Sequence, residues 1–332
     1  MRSVGIIGTG AFLPEKVLTN KDLEKMVNTS DEWIVSRTGI RERRIASDDQ
    51  ACSDLATEAG RRALESAGIT ADQLDLIIVA TVTPDTMFPA TACLVQERLQ
   101  AEKAATFDLS AACSGFIYGI ATASQFIATG IYRYVLVIGA ECLSKIINWQ
   151  DRNTCVLFGD GAGAAVLGPV ETGGFLSFEL GGDGSGGHLL QLPAGGSRLP
   201  ASQETVEQGL HKLTMAGREV FKFAVRVMQR SAENALEKAG LSKEDIDFLV
   251  PHQANIRIID SSLERLGLSR DKAVINLNRY GNMSSASIPV ALDEAVRAGK
   301  ITAGDTLVLV GFGAGLTWGS AVLKWSGVNG KQ

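Results

Sequence analysis

The chain has 332 residues, of which 45% are hydrophobic, 21% are charged and 36 are glycine. This composition is typical of a compact globular protein with many tight turns, and it excludes a largely disordered chain. The formal net charge of −5 provides no basic field for a polyanion, so we expect no nucleic-acid partner. The apolar runs are too short to cross a bilayer, so we expect no membrane span.

The cysteine content favours a reducing compartment. The number of cysteines is odd and no two have the Cys-x-x-Cys spacing, which argues against a disulfide framework and against a zinc site. Residues 1–14 carry one arginine and an apolar run broken by glycines, without the cleavage pattern of a signal peptide. We therefore expect a cytoplasmic protein without a metal.

The chain repeats itself at a fixed offset. The segment ALESAGIT at residues 63–70 recurs as ALEKAGLS at residues 235–242, so the offset is 172 (235 − 63). The same offset places the strand pattern VLVIG at residues 135–139 on LVLVG at residues 307–311. A period of this length is too long for a solenoid and predicts two similar halves.

Each half alternates helical and strand patterns, which predicts an α/β fold with halves at residues 1–172 and 173–332. The strands are nearly continuous aliphatic runs, as expected for sheets that are covered on both faces. Helices outside and between two such sheets give five layers in the order α-β-α-β-α. Between residues 141 and 160 the first half carries extra residues, which mark a candidate functional loop.

Cys113 follows the short strand-like run DLSAA and precedes a helical pattern at residues 116–128. At the N-terminus of a helix, unpaired N–H groups and the helix dipole stabilise a thiolate and can bind an oxyanion. We therefore expect a lowered pKa for this cysteine. The alternative is an inert buried cysteine, which is what we expect of the other four. These are Cys52, Cys93, Cys142 and Cys155.

His252 is the histidine best placed for catalysis. His188 lies in a glycine-rich segment and His211 in a polar one, whereas His252 directly follows the aliphatic strand pattern at residues 248–250. Sites of α/β proteins assemble at strand ends. A structural histidine with satisfied hydrogen bonds remains the alternative.

Asn282 lies in a loop of small residues ahead of a helical pattern at residues 289–298. Taken alone, it is a turn or N-cap asparagine. The repeat offset, however, maps Cys113 onto position 285 (113 + 172), so the loops of Cys113 and Asn282 occupy matching places in the two halves. Pseudosymmetry can bring both loops to one interface.

Three motifs together resemble one enzyme family. They are ACSG at residues 112–115, PHQAN at residues 251–255 and GNMSSAS at residues 281–287. In this order the chain closely resembles the β-ketoacyl-acyl carrier protein synthase III family, and the resemblance extends from residues 31–40 to residues 315–320. It implies a thiolase fold, a homodimer, and no cofactor other than the coenzyme A thioester that is the substrate.

The resemblance also implies the reaction. A short acyl-CoA such as acetyl-CoA would condense with malonyl-acyl carrier protein, with loss of CO2, to begin type II fatty acid synthesis. Cys113 would carry the acyl group, while His252 and Asn282 would donate hydrogen bonds to the malonyl thioester oxygen. The backbone N–H groups of Cys113 and Ala314 would form the oxyanion hole. The family commonly has glycine in place of Ala314, and alanine would be strained if that position required a positive φ.

Binding roles outside the catalytic set are implied in the same way. Coenzyme A would contact Trp33, Arg37, Arg152 and Asn255. The acyl pocket would contain Phe88, Phe312 and Leu143. Phe88 would reach across the dimer interface, and Arg257 would dock the acidic carrier protein. The alternatives are a core aromatic residue for Trp33 and a solvated helix charge for Arg257.

Other functions use the same fold. A condensing enzyme that primes a polyketide or another secondary pathway would share the Cys-His-Asn set, and a catalytically silent carrier-binding partner would be expected to lack the cysteine. A degradative thiolase uses a second cysteine near its C-terminus, whereas Cys155 is the last one here. A hydroxymethylglutaryl-type synthase needs a glutamate base, and residues 74–88 offer none. The length and branching of the primer stay open.

Overall fold

The computed structural model of the protein describes residues 2–328. The strands are β1 (Val4–Phe12), β2 (Lys16–Thr19), β3 (Glu42–Ile45), β4 (Leu76–Ala80), β5 (Ala105–Leu109), β6 (Val135–Glu141), β7 (Gly161–Pro169), β8 (Gly174–Gly182), β9 (Leu190–Gln191), β10 (Thr214–Met215), β11 (Phe248–Pro251), β12 (Thr306–Gly313) and β13 (Thr317–Lys324). The helices are α1 (Asn20–Leu23), α2 (Asp31–Thr38), α3 (Cys52–Ala67), α4 (Thr91–Leu99), α5 (Gly115–Ala128), α6 (Arg152–Cys155), α7 (Gln203–Glu207), α8 (Gly217–Ala239), α9 (Ile256–Leu266), α10 (Leu277–Tyr280) and α11 (Ser287–Arg297). Among these helices none combines the length and the apolar character that crossing a membrane requires.

Two sheets with the same strand order form the frame of the molecule. The first has the order β1-β7-β6-β4-β5, and the second has the matching order β8-β13-β12-β11. In each sheet the first two pairings are antiparallel and the third is parallel. Where the first sheet has its fifth strand, the second sheet has one isolated parallel bridge, between Leu249 in β11 and Ala273. This agreement confirms the duplicated α/β fold that the repeat offset predicts.

Helices lie in three layers around the sheets. Helices α3 and α4 cover the outer face of the first sheet, and α8 and α9 cover the outer face of the second. Helices α5 and α11 lie between the sheets, and α5 contacts strands of both. Because it is enclosed, α5 is apolar on most of its surface, whereas α3 and α8 each bury one face only. The predicted five-layer arrangement is therefore confirmed.

The two central helices begin at positions that differ by the repeat offset. Helix α5 begins at Gly115 and α11 at Ser287 (287 − 115 = 172). Each follows a 3-10 turn, Ala112–Ser114 or Ser284–Ala286. The first residue of each turn has a left-handed φ, 46° at Ala112 and 47° at Ser284. Such angles are strained for residues other than glycine, and strained residues cluster at functional sites. Two equivalent strained turns thus meet between the sheets.

The first half differs from the second by one long loop. Residues 142–160 join β6 to β7, whereas residues 314–316 alone join β12 to β13. The long loop binds the backbone of Asn282, whose N–H donates to Leu157 O at 2.8 Å and whose carbonyl accepts from Gly159 N at 3.0 Å. The extra residues of the first half therefore hold a candidate site residue of the second half.

Gly139 in β6 allows the two halves to approach each other. A Cβ built at this position would overlap the carbonyl oxygen of Ser285, which belongs to the backbone of the turn before α11. We expect Gly139→Ala to lower the free energy of unfolding by about 1–3 kcal/mol, the usual cost of overpacking a core. Urea denaturation followed by circular dichroism measures the change.

Gly184→Ala is the matched control, because a Cβ there would meet no atom within 4 Å. We expect this variant to stay within about 0.5 kcal/mol of the wild type. Equal denaturation midpoints for both variants would contradict the close approach at Gly139.

Candidate active site

Cys113 lies where two cavities meet. It is 7% exposed and stands in the 3-10 turn that precedes α5. The first cavity, here called the His-Asn cavity, has a volume of about 90 Å³ and is lined by Cys113, His252 and Asn282 among others. The second, here called the Leu143 cavity, has a volume of about 140 Å³ and is lined mainly by apolar side chains together with Cys113. Cys113 therefore lines both cavities, which also share Phe158 and Leu190.

His252 is a buried, neutral ring. It follows β11, and its backbone N–H donates to Val310 O in β12 at 2.8 Å. Burial lowers the pKa of His252 to about 3, so the ring is uncharged at neutral pH. Its Nδ1 is buried without a hydrogen-bond partner within residues 2–328. A buried N–H without an acceptor is rarer than a buried acceptor without a donor. The unpaired Nδ1 is therefore assigned as the unprotonated nitrogen, and the ring proton is on Nε2.

Asn282 is oriented by its own loop. Its side-chain Oδ1 accepts a hydrogen bond from the backbone N–H of Ser284 at 2.8 Å. With the oxygen engaged in this way, the Nδ2 amide group is left as a donor. His252 and Asn282 thus present neutral N–H donors to one cavity, an arrangement that can stabilise negative charge on a ligand oxygen.

The Cys113 thiol is protonated at neutral pH, and the expectation of a lowered pKa is wrong. The pKa of Cys113 is raised to about 12, mainly by burial; the Ser284 hydroxyl lowers it and the Glu141 carboxylate adds a smaller upward shift. A helix N-terminus typically stabilises an anion by about 0.3–1 kcal/mol, which is less than the cost of removing a charge from water. The thiol therefore needs a base when it reacts.

The backbone of the β12–β13 connection packs against the nucleophile turn. The N–H of Cys113 has no hydrogen-bond acceptor in the described part of the chain. A Cβ built on Gly313 would lie 2.5 Å from this nitrogen, so only glycine permits the contact. Ala314 comes next and lines the Leu143 cavity with Cys113. Its φ is not positive, so alanine is unstrained at this position.

Three of the residues expected to bind coenzyme A come together at one surface. The Cζ atoms of Arg152 and Arg37 lie 5.1 Å and 5.5 Å from the centroid of the Trp33 ring. This group, here called the Trp33 platform, presents an aromatic ring and two guanidinium groups on which a nucleobase can stack. Asn255 connects it to the His-Asn cavity, which it lines, by donating to Arg37 O at 3.0 Å.

Arg257 lies at the rim of the His-Asn cavity. It is exposed in the first turn of α9, and its backbone N–H donates to Asn255 Oδ1, the N-cap of that helix. Its Cζ lies 5.4 Å from the centroid of the Phe221 ring, and Phe221 lines the cavity. The guanidinium group is therefore available to a partner that approaches the opening.

The three residues expected in the acyl pocket occupy three different places. Leu143 lines the Leu143 cavity, whereas Phe312 lines the His-Asn cavity, where its ring contacts His252 edge-on at 5.6 Å between centroids. Phe88 lies outside both cavities and is 85% exposed, beside Met87, which is 78% exposed. Two large apolar side chains exposed together mark a contact surface.

Two buried residues beside Cys113 were missed by reasoning from the sequence. Glu141 ends β6, and all seven residues of that strand are buried. A carboxylate at the end of an otherwise aliphatic strand is a signal that could have identified it. Ser284 is 3% exposed and lines the Leu143 cavity. Its side chain has no feature that distinguishes it in the sequence from the neighbouring serines.

Comparisons with known proteins agree with this geometry. Family models described as 3-oxoacyl-[acyl-carrier-protein (ACP)] synthase III and its C-terminal part match residues 107–184 and 236–325. A curated β-ketoacyl-[acyl-carrier-protein] synthase III from Desulfitobacterium hafniense is 64% identical over 98% of this chain and 99% of its own. The chain belongs to the β-ketoacyl-[acyl-carrier-protein] synthase III family.

Solved structures of similar proteins share the whole fold. The crystallised synthase III of Thermus thermophilus is 53% identical, with a TM-score of 0.91 over 98% of this chain and 100% of that one. The priming β-ketosynthase of the R1128 polyketide pathway is 38% identical, with a TM-score of 0.91 over 98% of this chain and 97% of that one. The fold is thiolase-like, and the chain is a condensing enzyme of the acyltransferase class that acts in the initiation of fatty acid synthesis.

The neutral, buried His252 makes the stability of the protein sensitive to acid. Its pKa is 6.5 in an ordinary environment and about 3 in the folded protein. Below pH 6.5 the unfolded chain binds a proton that the folded chain excludes, so stability falls as the pH drops toward 3. Between pH 7 and pH 5 we expect His252 to account for a loss of about 2 kcal/mol.

His252→Gln removes this contribution and keeps a side chain that can donate a hydrogen bond. Urea denaturation of the wild type and of the variant, each at pH 7 and pH 5, measures the difference between their pH dependences. Identical pH dependences would show that His252 titrates near its ordinary pKa in the folded protein.

Proposed function

We propose that this chain condenses a short acyl-CoA with malonyl-acyl carrier protein to give β-ketoacyl-acyl carrier protein, coenzyme A and CO2. The observation that carries the proposal is that Cys113 lines both the Leu143 cavity and the His-Asn cavity. A transfer in two steps needs one atom that holds an acyl chain on one side and meets an incoming carbon nucleophile on the other. The two cavities provide these two sides.

In the first step Cys113 attacks the thioester carbonyl, and coenzyme A leaves. The free backbone N–H of Cys113, together with that of Ala314, faces the tetrahedral oxyanion. The acyl chain then occupies the Leu143 cavity. Its volume of about 140 Å³ holds a chain of roughly four or five heavy atoms, since a water molecule takes about 30 Å³. This volume supports acetyl and other short primers.

In the second step the malonyl thioester occupies the His-Asn cavity. Loss of CO2 leaves an enolate whose oxygen accepts hydrogen bonds from His252 Nε2–H and Asn282 Nδ2–H. No lysine or arginine lines this cavity within residues 2–328, so the malonyl carboxylate has no counter-charge there. A carboxylate removed from water without a partner is destabilised, which favours its departure as CO2. The enolate carbon then attacks the acyl-Cys113 thioester.

The two substrates also contact residues at the surface of the protein. The adenine of coenzyme A stacks between Trp33 and Arg152, with Arg37 and Asn255 along the path to Cys113. Arg257 offers a positive charge to an acidic carrier protein at the rim of the His-Asn cavity. Two copies associate through the exposed Phe88, and the enzyme acts in the cytoplasm without a cofactor. Within residues 2–328 no three His, Cys, Asp or Glu side chains are grouped to hold a metal ion.

Acylation of Cys113 tests the proposal directly. On incubation with acetyl-CoA, the intact mass of the wild type should rise by one acetyl group and return when malonyl-acyl carrier protein is added, while β-ketoacyl-acyl carrier protein forms. Cys113→Ala should take no acyl group. Cys142→Ala, which removes a buried thiol outside both cavities, is the matched control and should behave as the wild type does. Absence of acylation by any short acyl-CoA would refute the proposed reaction.

The Trp33 platform generates a second prediction. Trp33→Ala should raise the KM for acetyl-CoA about tenfold, because stacking of a base on an aromatic ring contributes about 1–3 kcal/mol. The KM for acetyl-pantetheine, which lacks the adenine, should not change. Steady-state kinetics with both substrates makes the comparison. Equal effects on the two substrates would show that Trp33 does not contact the nucleotide.

A further inference from the structure

Arg43, in β3, carries a fully buried guanidinium group to which the proposed reaction gives no role. It is 0% exposed, and burial lowers its pKa to about 10, so it is charged at neutral pH. Its Nη1 donates to Leu18 O at 3.1 Å and to Asn20 Oδ1 at 3.0 Å, and its Nη2 donates to Val156 O at 2.8 Å. None of these acceptors is charged. Because a cation is almost never fully buried without an anion, this residue points to a function.

The fork of Arg43 joins three separate segments of the chain. Leu18 lies in β2, Asn20 begins α1, and Val156 lies in the long loop that follows β6. Guanidinium N–H donors in one rigid plane reach acceptors in several directions at once, and the compact ammonium group of lysine does not reproduce this geometry. The guanidinium group therefore fixes the long loop relative to β2 and β3.

Asn282 is held by the residues that directly follow Val156. Its N–H donates to Leu157 O at 2.8 Å, and its carbonyl accepts from Gly159 N at 3.0 Å. The carbonyl that Arg43 binds and the carbonyl that Asn282 binds thus belong to consecutive residues. A displacement of the first carbonyl reaches the backbone of Asn282 through a single peptide unit.

The aliphatic stem of Arg43 packs at the same place. A Cβ built on Gly159 would lie 3.0 Å from Arg43 Cβ, and a Cβ built on Gly281 would lie 3.5 Å from it. These two glycines adjoin the isolated parallel bridge between Phe158 and Asn282. Arg43 therefore supports the junction between the long loop and Asn282 by packing as well as by hydrogen bonding.

The other arm of the fork leads toward the Trp33 platform. Asn20, whose Oδ1 accepts from Arg43, donates through Nδ2 to Asp31 Oδ1 at 2.8 Å. Asp31 begins α2, the helix that carries Trp33 and Arg37. A change at Arg43 therefore also reaches residues proposed to bind coenzyme A, an effect that saturating acetyl-CoA removes from a measured rate.

We propose that Arg43 is a positioning residue that keeps the Asn282 side chain aligned with the malonyl thioester, an inference that rests on the proposed function. Asn282 Nδ2–H donates to the enolate oxygen that forms as CO2 leaves, and such stabilisation depends on donors that are fixed before the charge develops. Arg43 itself lines neither cavity. It acts on the second step through the long loop, whereas the attack of Cys113 on acetyl-CoA does not use Asn282.

The test measures the two half-reactions separately in single turnovers. Acylation of Cys113 at saturating acetyl-CoA is followed by rapid quench and intact mass. The acylated enzyme is then freed of acetyl-CoA and mixed with malonyl-acyl carrier protein, and the loss of the acetyl mass is followed. We expect Arg43→Lys, which keeps the charge and loses the fork, to slow this second half-reaction about tenfold to 100-fold, the effect of a small misplacement at the reacting centre. Acylation should stay within about threefold of the wild type.

A double variant shows whether Arg43 acts through Asn282. Asn282→Ala alone should slow the second half-reaction, because it removes the donor to the enolate oxygen. Adding Arg43→Lys to Asn282→Ala should slow it by less than about twofold more, because residues that act as a unit are not additive. A merely structural role would give the full factor of Arg43→Lys in both backgrounds.

Arg62→Lys is the matched control. Arg62 also donates to a backbone carbonyl, Ala11 O at 2.7 Å, but it lines neither cavity. Both half-reactions of this variant should match those of the wild type within about twofold.

The outcomes distinguish the two proposals. If the wild type is not acylated, the proposed function is wrong and this inference falls with it. The wild type being acylated, the positioning role is overturned if Arg43→Lys keeps the rate of the second half-reaction, slows both half-reactions equally, or adds its full factor to Asn282→Ala. If Arg43→Lys does not fold, Asn20→Ala decides by the same comparison, because it removes the acceptor that orients the other arm of the fork.

Discussion

The burial of Cys113 and His252 is the constraint on which the rest of the site depends. Burial keeps both the Cys113 thiol and the His252 ring uncharged, because an ion without water or a partner is costly. The site therefore presents neutral donors, Nε2–H of His252 and Nδ2–H of Asn282, to the His-Asn cavity. The low dielectric of a buried site also strengthens each hydrogen bond to the charge that develops on a substrate oxygen.

Duplication of the α/β unit accounts for the position of this site. Helices α5 and α11 lie between the two sheets, and the strained turns before them meet at the centre of the molecule. The first turn carries Cys113, and its equivalent in the second turn is Ser285. The single hydroxyl proton of Ser285 is shared between Ala80 O at 2.8 Å and Glu141 Oε1 at 3.1 Å, so Ser285 joins the two halves beside the turn of Cys113. The same turn geometry thus holds Cys113 in the first half and a hydrogen-bonding serine in the second.

The candidate residues were predictable from the sequence to different degrees. Cys113, His252 and Asn282 sit in motifs at the ends of strand patterns, and the repeat offset placed two of their loops at equivalent positions. Glu141 and Ser284 were missed, because their importance comes from what packs around them and not from their local pattern. The pKa of Cys113 was predicted in the wrong direction, since a helix N-terminus is visible in a sequence but the depth of burial is not.

By itself the sequence determined the fold class, the duplication and the family, and it singled out Cys113, His252 and Asn282 as candidates. Hydrophobic periodicity and an internal repeat are patterns along the chain, so they can be detected without coordinates. Only the tertiary structure decided that Cys113 lines two cavities, that Phe312 and Leu143 line different ones, and that Glu141 is fully buried at the end of β6. These facts depend on contacts between residues far apart in the chain, and on the water that such contacts exclude.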